Sequence, residues 1–488
     1  MKQSDWKKYD SYDCKVDPEQ DDKSTEIKLL SFKRPHMRAF HCSWWSFFIA
    51  FFIWFSAAPL LTEIKDDLML TKQEIWNSSI AGVGSTIFMR FVNGPLCDKY
   101  GPRVMMASIL LFASVPTALT GVVENATDLL LIRMLIGIGG STFVMCQYWA
   151  TRMFTKEVVG TANALCGGWG NLGGGVTQLV VGSLLFPMFK AIYTDGDDCV
   201  PPVTDDKVDN TKRTGDCSSE KAWRTVCVVP AVVASLTALW ILRNTEDAPK
   251  GNYWELKENG AMPQISATSS FREGAYNINT WILFVQYACC FGVELTMNNA
   301  AALYFKEEFD QTTEEAAAIA SLFGWMNLFA RGLGGYASDV GSAKMGMKGR
   351  LIVQTVCLLM EGILVLLFAN AKELWIAILL MVIFSLFVQA AEGASYGIVP
   401  YVNPPVTGSI AGIVGAGGNT GAVCFGMCFR EMNYKDAFIT MGFTIIATSV
   451  LSPLIRIPGE NTWICPPVGG SAPEVLDAPK VDEEEVEA

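Results

Sequence analysis

Charge-free apolar runs recur along almost the whole chain, and they decide what it can fold into. Ser43–Thr62, Val104–Val123, Val226–Leu242 and Val406–Phe429 contain no Asp, Glu, Lys or Arg. About 20 such residues in a helix cross the roughly 30 Å of hydrocarbon in a bilayer. One run would suit a buried core helix. About a dozen in succession would not, because no soluble core is large enough to hide them. Only 18% of the 488 residues are charged, against about a quarter in a soluble protein. Those charges crowd into the first 42 residues, short loops, a middle segment and the C-terminal end. The pattern predicts an all-α membrane protein with about twelve transmembrane helices, in contact with the lipid bilayer.

Helices are expected near 43–63, 76–97, 104–123, 128–150, 159–189, 222–243, 279–303, 314–336, 351–369, 373–397, 407–429 and 436–455. The first run starts too far into the chain for a cleavable signal peptide, and Pro59 directly after Ser56-Ala57-Ala58 opposes cleavage there. The polar stretch 244–278, with Pro249, Gly251 and Pro263, reads as a cytoplasmic linker. The expected organisation is therefore a tail over 1–42, a six-helix half over 43–243, the linker 244–278, a second six-helix half over 279–455 and an acidic tail over 456–488. An even helix count puts both termini on one side. Lys99, Arg103, Arg152, Lys156, Arg243, Lys250, Lys344, Lys348 and Arg350 share that side, which the positive-inside rule makes cytoplasmic. The 190–221 loop holds Lys207, Lys212 and Arg213, but long loops obey that rule poorly.

The net charge of −12 gathers mainly in the tails and one loop, and Asp482–Glu487 reads as a solvated, disordered end. Most of the 14 cysteines lie within apolar runs, among them Cys146, Cys289, Cys290, Cys357 and Cys424, where a thiol acts as a small hydrophobe. Cys424 and Cys428 are one turn apart with no histidine nearby, so no metal is expected. Cys199 and Cys217 stand in a polar loop and could pair if it faces outward.

The two halves repeat each other. Arg90-Phe-Val-Asn-Gly94-Pro-Leu-Cys-Asp98 closes the second helix and Arg331-Gly-Leu-Gly-Gly335-Tyr-Ala-Ser-Asp339 closes the eighth; both read R-x3-G-x3-D. The fifth helix carries Gly170-Asn171-Leu172-Gly173 and the eleventh Gly418-Asn419-Thr420-Gly421; both read G-N-x-G. Duplicated halves around a central site are the build of a secondary transporter. Arg90 and Arg331 lie about 11–12 Å deeper along their helices than the following Asp, too deep for easy snorkelling. An arginine there costs about 2.5–3.5 kcal/mol on insertion scales. Two guanidiniums at equal depth, with no acid equally placed, suit an anion, and their planar forks match a planar oxyanion. The glycines of 167–175 and 412–421 let helix backbones touch. They do not explain Asn171 and Asn419, whose amides need partners and are candidate ligands.

The turn Gly94-Pro-Leu-Cys-Asp98-Lys99-Tyr100-Gly101-Pro-Arg103 resembles the loop signature of the major facilitator superfamily, and Arg133-x3-Gly137-Ile-Gly139 on the fourth helix fits the same style. Residues 43–455 resemble the nitrate/nitrite porter family within it, in its eukaryotic, algal and plant-type high-affinity branch. The glycine-asparagine stretches match that family's two signatures, and Cys146-Gln-Tyr-Trp149 and Phe291-Gly-Val-Glu-Leu295 look like the eukaryotic branch. The resemblance implies the major facilitator fold, two pseudo-symmetric six-helix halves. It implies Arg90 and Arg331 as substrate arginines, Asn171 as a polar contact, and Tyr287, Phe291 and Phe143 as the residues that line and sandwich the anion. It also implies a multi-pass plasma-membrane protein and leaves room for a small accessory membrane subunit.

Nitrate import into a negative cell is uphill by about 2.3 kcal/mol per 100 mV. No GxxxxGK[ST] loop is present, so an ion gradient must supply the work. The resemblance to the eukaryotic branch implies symport of nitrate, with nitrite as a further candidate substrate, together with more than one proton, which meets the need. Candidate proton carriers are Glu294, one turn from Phe291, then Glu392 and Glu361, with Arg133 as a further coupling candidate. The alternatives are nitrate/nitrite exchange and a nitrate receptor signalling through its tails, which short, low-complexity tails disfavour. No catalytic triad, metal cluster or nucleotide loop points to an enzyme, and neither a cofactor nor a nucleic-acid partner is expected.

Overall fold

The computed structural model describes residues 8–155, 158–194, 217–260, 267–403, 407–457 and 459–463. Twelve long helices dominate these residues: α1 (His36–Asp67), α2 (Lys72–Tyr100), α3 (Pro102–Val122), α4 (Ala126–Met153), α5 (Thr161–Thr194), α6 (Ser218–Asn244), α7 (Ile278–Phe309), α8 (Thr313–Met345), α9 (Met347–Phe368), α10 (Leu374–Val399), α11 (Ser409–Glu431) and α12 (Tyr434–Leu454). Eleven of the twelve are long and apolar enough to cross a membrane; α2 is 29 residues long and buries Arg90. The helix positions expected from the apolar runs are all occupied by helices.

Corresponding helices of the two halves start alike. Thr71 and Glu74 form a capping box at α2, and Thr312 and Glu315 form one at α8. Each box satisfies two of the backbone donors that a helix start leaves open. Asn125 caps α4 and Asn433 caps α12, although these two helices are not counterparts in the repeat. Several helices are interrupted in mid-course. The α-helical part of α1 stops at Trp54, just before Pro59, which has no N–H to donate. The α-helical hydrogen bonding of α7 breaks at Cys289 and Cys290, and α8 tightens to a 3-10 turn over Met326–Leu328. Both breaks lie next to residues singled out above, Tyr287 and Phe291 on α7 and Arg331 on α8.

The glycine stretches are chiefly packing faces. A Cβ on Gly175 would come within 2.6 Å of the Gly324 backbone on α8, and one on Gly421 within 2.1 Å of the Ala288 carbonyl on α7. Such contact needs glycine.

One face of the bundle carries the N-terminal segment, the linker and the C-terminal end. Here it is called the terminal face, and the opposite one the far face. On the far face the halves are locked together. Lys306 donates to Glu63 at 2.7 Å and to Thr62 at 3.1 Å, and Lys65 pairs with Glu307 at 2.6 Å. Arg430 donates to Asn77 at 2.9 Å. Trp76 of α2 stacks on Phe429 of α11 with ring centroids 5.1 Å apart.

The terminal face differs from the expectation of a plain tail and linker. Helix α1 begins at His36 rather than Ser43, because the preceding residues supply a partner for its polar start: His36 Nε2 hydrogen-bonds to the Asp22 carbonyl at 2.8 Å. Val16–Asp17 pairs antiparallel with Lys23–Ser24, and Ser24 bridges to Phe154 at the end of α4. Tyr9 donates to Glu246, which also pairs with Arg34. This segment is thus a built clasp and not a low-complexity tail. Within 244–278, short helices form at Tyr253–Glu258 and Ala267–Tyr276. The acidic end, Cys199 and the side chains of Asp98 and Cys217 lie outside the described residues.

Candidate functional site

Arg90 and Arg331 are both buried at the middle of the bundle, each 3% exposed. Each faces a glycine of the opposite half, so that a guanidinium fits where a side chain would otherwise stand. A Cβ on Gly415 of α11 would lie 3.4 Å from Arg90 Nη1, and one on Gly167 of α5 would lie 3.4 Å from Arg331 Cζ. These two glycines therefore leave room at the charges, where most of their neighbours serve packing.

The surroundings of the two arginines differ. Arg90 donates through Nη1 to the Gly415 carbonyl, while its Nε and Nη2 have no partner among the described residues. Its guanidinium lies over the ring of Phe143 at 5.0 Å and of Phe291 at 5.4 Å. An aromatic face holds a cation without consuming its N–H groups. Arg331 is occupied. Its Nη1 pairs with Glu392 of α10 at 2.5 Å, and its Nη2 donates to Tyr287 Oη at 3.1 Å. The expectation of two guanidiniums with no acid equally placed is therefore corrected at Arg331. Glu392 lies 61 residues away in sequence, and no local spacing reveals that α10 turns it toward α8.

Asn171 ties the acids together. Its Nδ2 lies 3.2 Å from Glu294 Oε2 and 3.5 Å from Glu392 Oε2, and Asn327 Nδ2 donates to Glu294 Oε1 at 2.9 Å. One buried amide thus meets two carboxyls from different helices. Asn171 Oδ1, Asn327 Oδ1 and Glu392 Oε1 are buried without a partner. An aromatic wall closes the site: Tyr287 stacks on Phe291 at 5.4 Å, and Phe143 faces Phe291 at 6.4 Å.

The structure thus brings Arg90, Arg331, Asn171, Phe143, Tyr287, Phe291, Glu294 and Glu392 to one place. It leaves three singled-out residues elsewhere. Asn419 reaches across to the Val83 carbonyl of α2 at 3.5 Å. Arg133 lies toward the far face, bonded to Ser78, Ser79 and Asn299. Glu361 is fully buried in the second half with both carboxyl oxygens unpartnered. Sequence reasoning missed Tyr396 and Asn327. Tyr396 packs edge-on to Tyr287 at 5.2 Å and donates to the Ala411 carbonyl at 3.1 Å. A tyrosine one turn beyond Glu392, and an amide one turn before Arg331, were the signals available.

Residues 43–427 match the Major Facilitator Superfamily family model. The High affinity nitrate transporter 2.5 of Arabidopsis thaliana is 36% identical over 450 residues, which cover 92% of this chain and 85% of that protein. The High-affinity nitrate transporter 2.3 of Oryza sativa subsp. japonica is 37% identical, over 93% of this chain and 84% of that protein. Among solved structures, a bacterial homologue of the human lysosomal transporter Spinster, inward-facing and unoccupied, has the same fold, with a TM-score of 0.60 at 16% identity over 86% of this chain and 96% of that one.

Proposed function

We propose a proton-driven nitrate importer, from the premise that this chain belongs to the Major Facilitator Superfamily and, within it, to the nitrate transporters. It is a multi-pass membrane protein and a transporter, not an enzyme. Nitrate is its substrate, with nitrite as a second one. It acts in the plasma membrane with the terminal face in the cytoplasm, with or without a small accessory membrane subunit. The single observation that carries the proton-coupled reading is the unequal state of the two arginines: Arg90 has free donors, while Arg331 is held by Glu392.

Nitrate is a planar anion with three acceptor oxygens. Arg90 offers it two open N–H positions between the faces of Phe143 and Phe291. Arg331 can join only when Glu392 lets go, and a carboxylate releases a guanidinium most readily when it is protonated. Glu294, coupled through Asn171, offers a second proton place. With both acids charged, the two arginines and two carboxylates sum to zero. Each proton added makes the site more attractive to an anion. Two protons per nitrate would carry one net positive charge inward, so that the membrane potential drives entry by about 2.3 kcal/mol per 100 mV. The halves then rock about the bound ion, opening one face as the other closes. An exchanger needs no such acids beside its anion, so their presence favours symport.

The test is nitrate uptake by reconstituted vesicles with an imposed proton gradient, comparing the native chain with Arg90→Lys and Arg331→Lys. Lysine keeps the charge and loses the fork. Affinity should fall by about tenfold or more in each variant, the worth of a hydrogen bond to a charged group. Native affinity in both would overturn the anion-site assignment, and uptake indifferent to the proton gradient would overturn symport.

A further inference from the structure

Arg133 is a buried cation within a membrane-spanning helix that the nitrate site does not use. It is 5% exposed, and among the described residues it has no ion-pair partner. Its Nη1 donates to Ser78 at 3.1 Å and Ser79 at 2.6 Å on α2, and its Nη2 to Asn299 Oδ1 at 2.6 Å on α7. The serines belong to its own half and Asn299 to the other. Ser79 precedes Arg90 on the same helix by 11 residues, so the serine that holds Arg133 stands about 16 Å from Arg90 along α2, toward the far face. One turn farther out on α2, the indole N–H of Trp76 is buried without a partner.

A dehydrated guanidinium held only by neutral acceptors is costly to bury. The cost arises each time the far face closes, because closure brings up Asn299 and removes water. When the halves part at that face, the Asn299 contact must break, since it joins the two halves. The guanidinium then keeps its two serines and turns a free N–H into the opened vestibule. Both serine hydroxyls donate their protons to the Ile75 carbonyl, at 2.7 and 3.3 Å, and accept from Arg133, so they position the guanidinium; its freed N–H is the charged donor an oxyanion binds.

We propose that Arg133, positioned by Ser78 and Ser79, is a transient docking site for a small monovalent oxyanion in the far-face vestibule, before the ion passes to Arg90. In the structure described, Asn299 takes the anion's place and seals the site. The inference rests on the nitrate-transport reading and adds a second binding step to it.

The experiment measures nitrate influx into vesicles as a function of nitrate on the far-face side, using the full chain. Arg133→Gln should raise the far-side KM by about tenfold or more, as a lost hydrogen bond to a charged group predicts, and Ser79→Ala, which only loosens the guanidinium, by about threefold. Asn299→Ala removes only the closing contact and should leave that KM unchanged or lower it. If Arg133 is merely a strut between the halves, Arg133→Gln and Asn299→Ala will shift KM together, and Ser79→Ala will leave it at the native value; that pattern overturns the proposal. Should Arg133→Gln fail to fold, the contrast between Ser79→Ala and Asn299→Ala decides alone. Native vesicles that take up no nitrate would instead overturn the transport reading itself.

Discussion

Replacing Glu392 by glutamine isolates the step in which a proton frees the second arginine. In the native chain the carboxylate holds Arg331 Nη1 at 2.5 Å, so nitrate must either displace a buried ion pair or bind after Glu392 is protonated. Nitrate binding and proton binding are then linked. Each carboxyl that takes up a proton as nitrate binds adds about one to the slope of log Kd against pH. Affinity is full at low pH and falls as pH rises, because the charged carboxylates compete for the guanidinium. With Glu392 engaged the native slope approaches about one, and Glu392→Gln should flatten it. The uncharged amide imitates the protonated acid in shape and leaves Arg331 available at every pH. At alkaline pH the variant should therefore bind nitrate about 10–100-fold more tightly than the native chain, matching the roughly 1.5–3 kcal/mol of a hydrogen bond to a charged group. Without nitrate the variant should be less stable, since removing one partner of a buried pair costs about 3–5 kcal/mol. Added nitrate should consequently raise its Tm more than it raises the native one. Calorimetric titration of purified protein at several pH values reads the slope, and thermal unfolding with and without nitrate reads the stability. Uptake against a nitrate gradient should be lost while equilibrating flux persists. A variant that keeps the native slope, or that binds nitrate more weakly than the native chain at every pH, would refute the linkage.

Tyr287→Phe removes the hydroxyl that accepts from Arg331 at 3.1 Å and keeps the ring that stacks on Phe291. Nitrate Kd should change by less than about tenfold, since one hydrogen bond is involved, and titration checks it. Gly175→Leu places a side chain where α5 and α8 touch through Gly324. The far face should then fail to close and uptake should fall by more than about tenfold; alkylation of a cysteine introduced on the far-face side of the site should become faster than in the native chain. Lys306→Glu breaks the contact with Glu63 on the far face, and a double variant with Glu63→Lys should recover most of the lost uptake. A pair this exposed is worth about 1 kcal/mol or less, so the single variant should lose no more than about fivefold.

The fold was legible because its signals are local and periodic. Apolar runs such as Val104–Val123 give helices wherever a bilayer forbids unpaired backbone groups, and the paired R-x3-G-x3-D and G-N-x-G patterns give the repeat. The positions of Arg90, Arg331 and Asn171 followed from that repeat. The partner of Arg331 did not, since the Glu392 contact depends on the rotation of α10 against α8. The same reason separates Asn171 from Asn419. They occupy equivalent places in the repeat, yet one meets two acids and the other a backbone carbonyl. The built clasp over residues 8–35 was illegible for a different reason: its strands are two residues long, and its stability comes from distant contacts such as Tyr9 with Glu246. The capping boxes at Thr71 and Thr312 were in plain view as T-x-x-E and would have strengthened the repeat.

On the proposed symport reading, the departure from symmetry at the site is what links the anion to the proton. Gly167 of α5 meets Gln147 of its own half and Arg331 of the other; Gly415 of α11 meets Tyr396 of its own half and Arg90 of the other. One turn before Gln147 on α4 stands Phe143, and one turn before Tyr396 on α10 stands Glu392. The duplicated frame therefore offers each arginine one neighbour at matching places, and the sequence fills one with an aromatic ring and the other with an acid. The ring leaves Arg90 always ready for an anion. The acid makes Arg331 ready only on protonation. Two aromatic neighbours would leave two uncompensated charges in the membrane interior and favour an anion of higher charge, with no proton required. Two acids would leave no standing attraction for any anion. One of each leaves a single uncompensated charge, which suits a monovalent oxyanion, and on the proposed reading the acid ties its affinity to the proton supply.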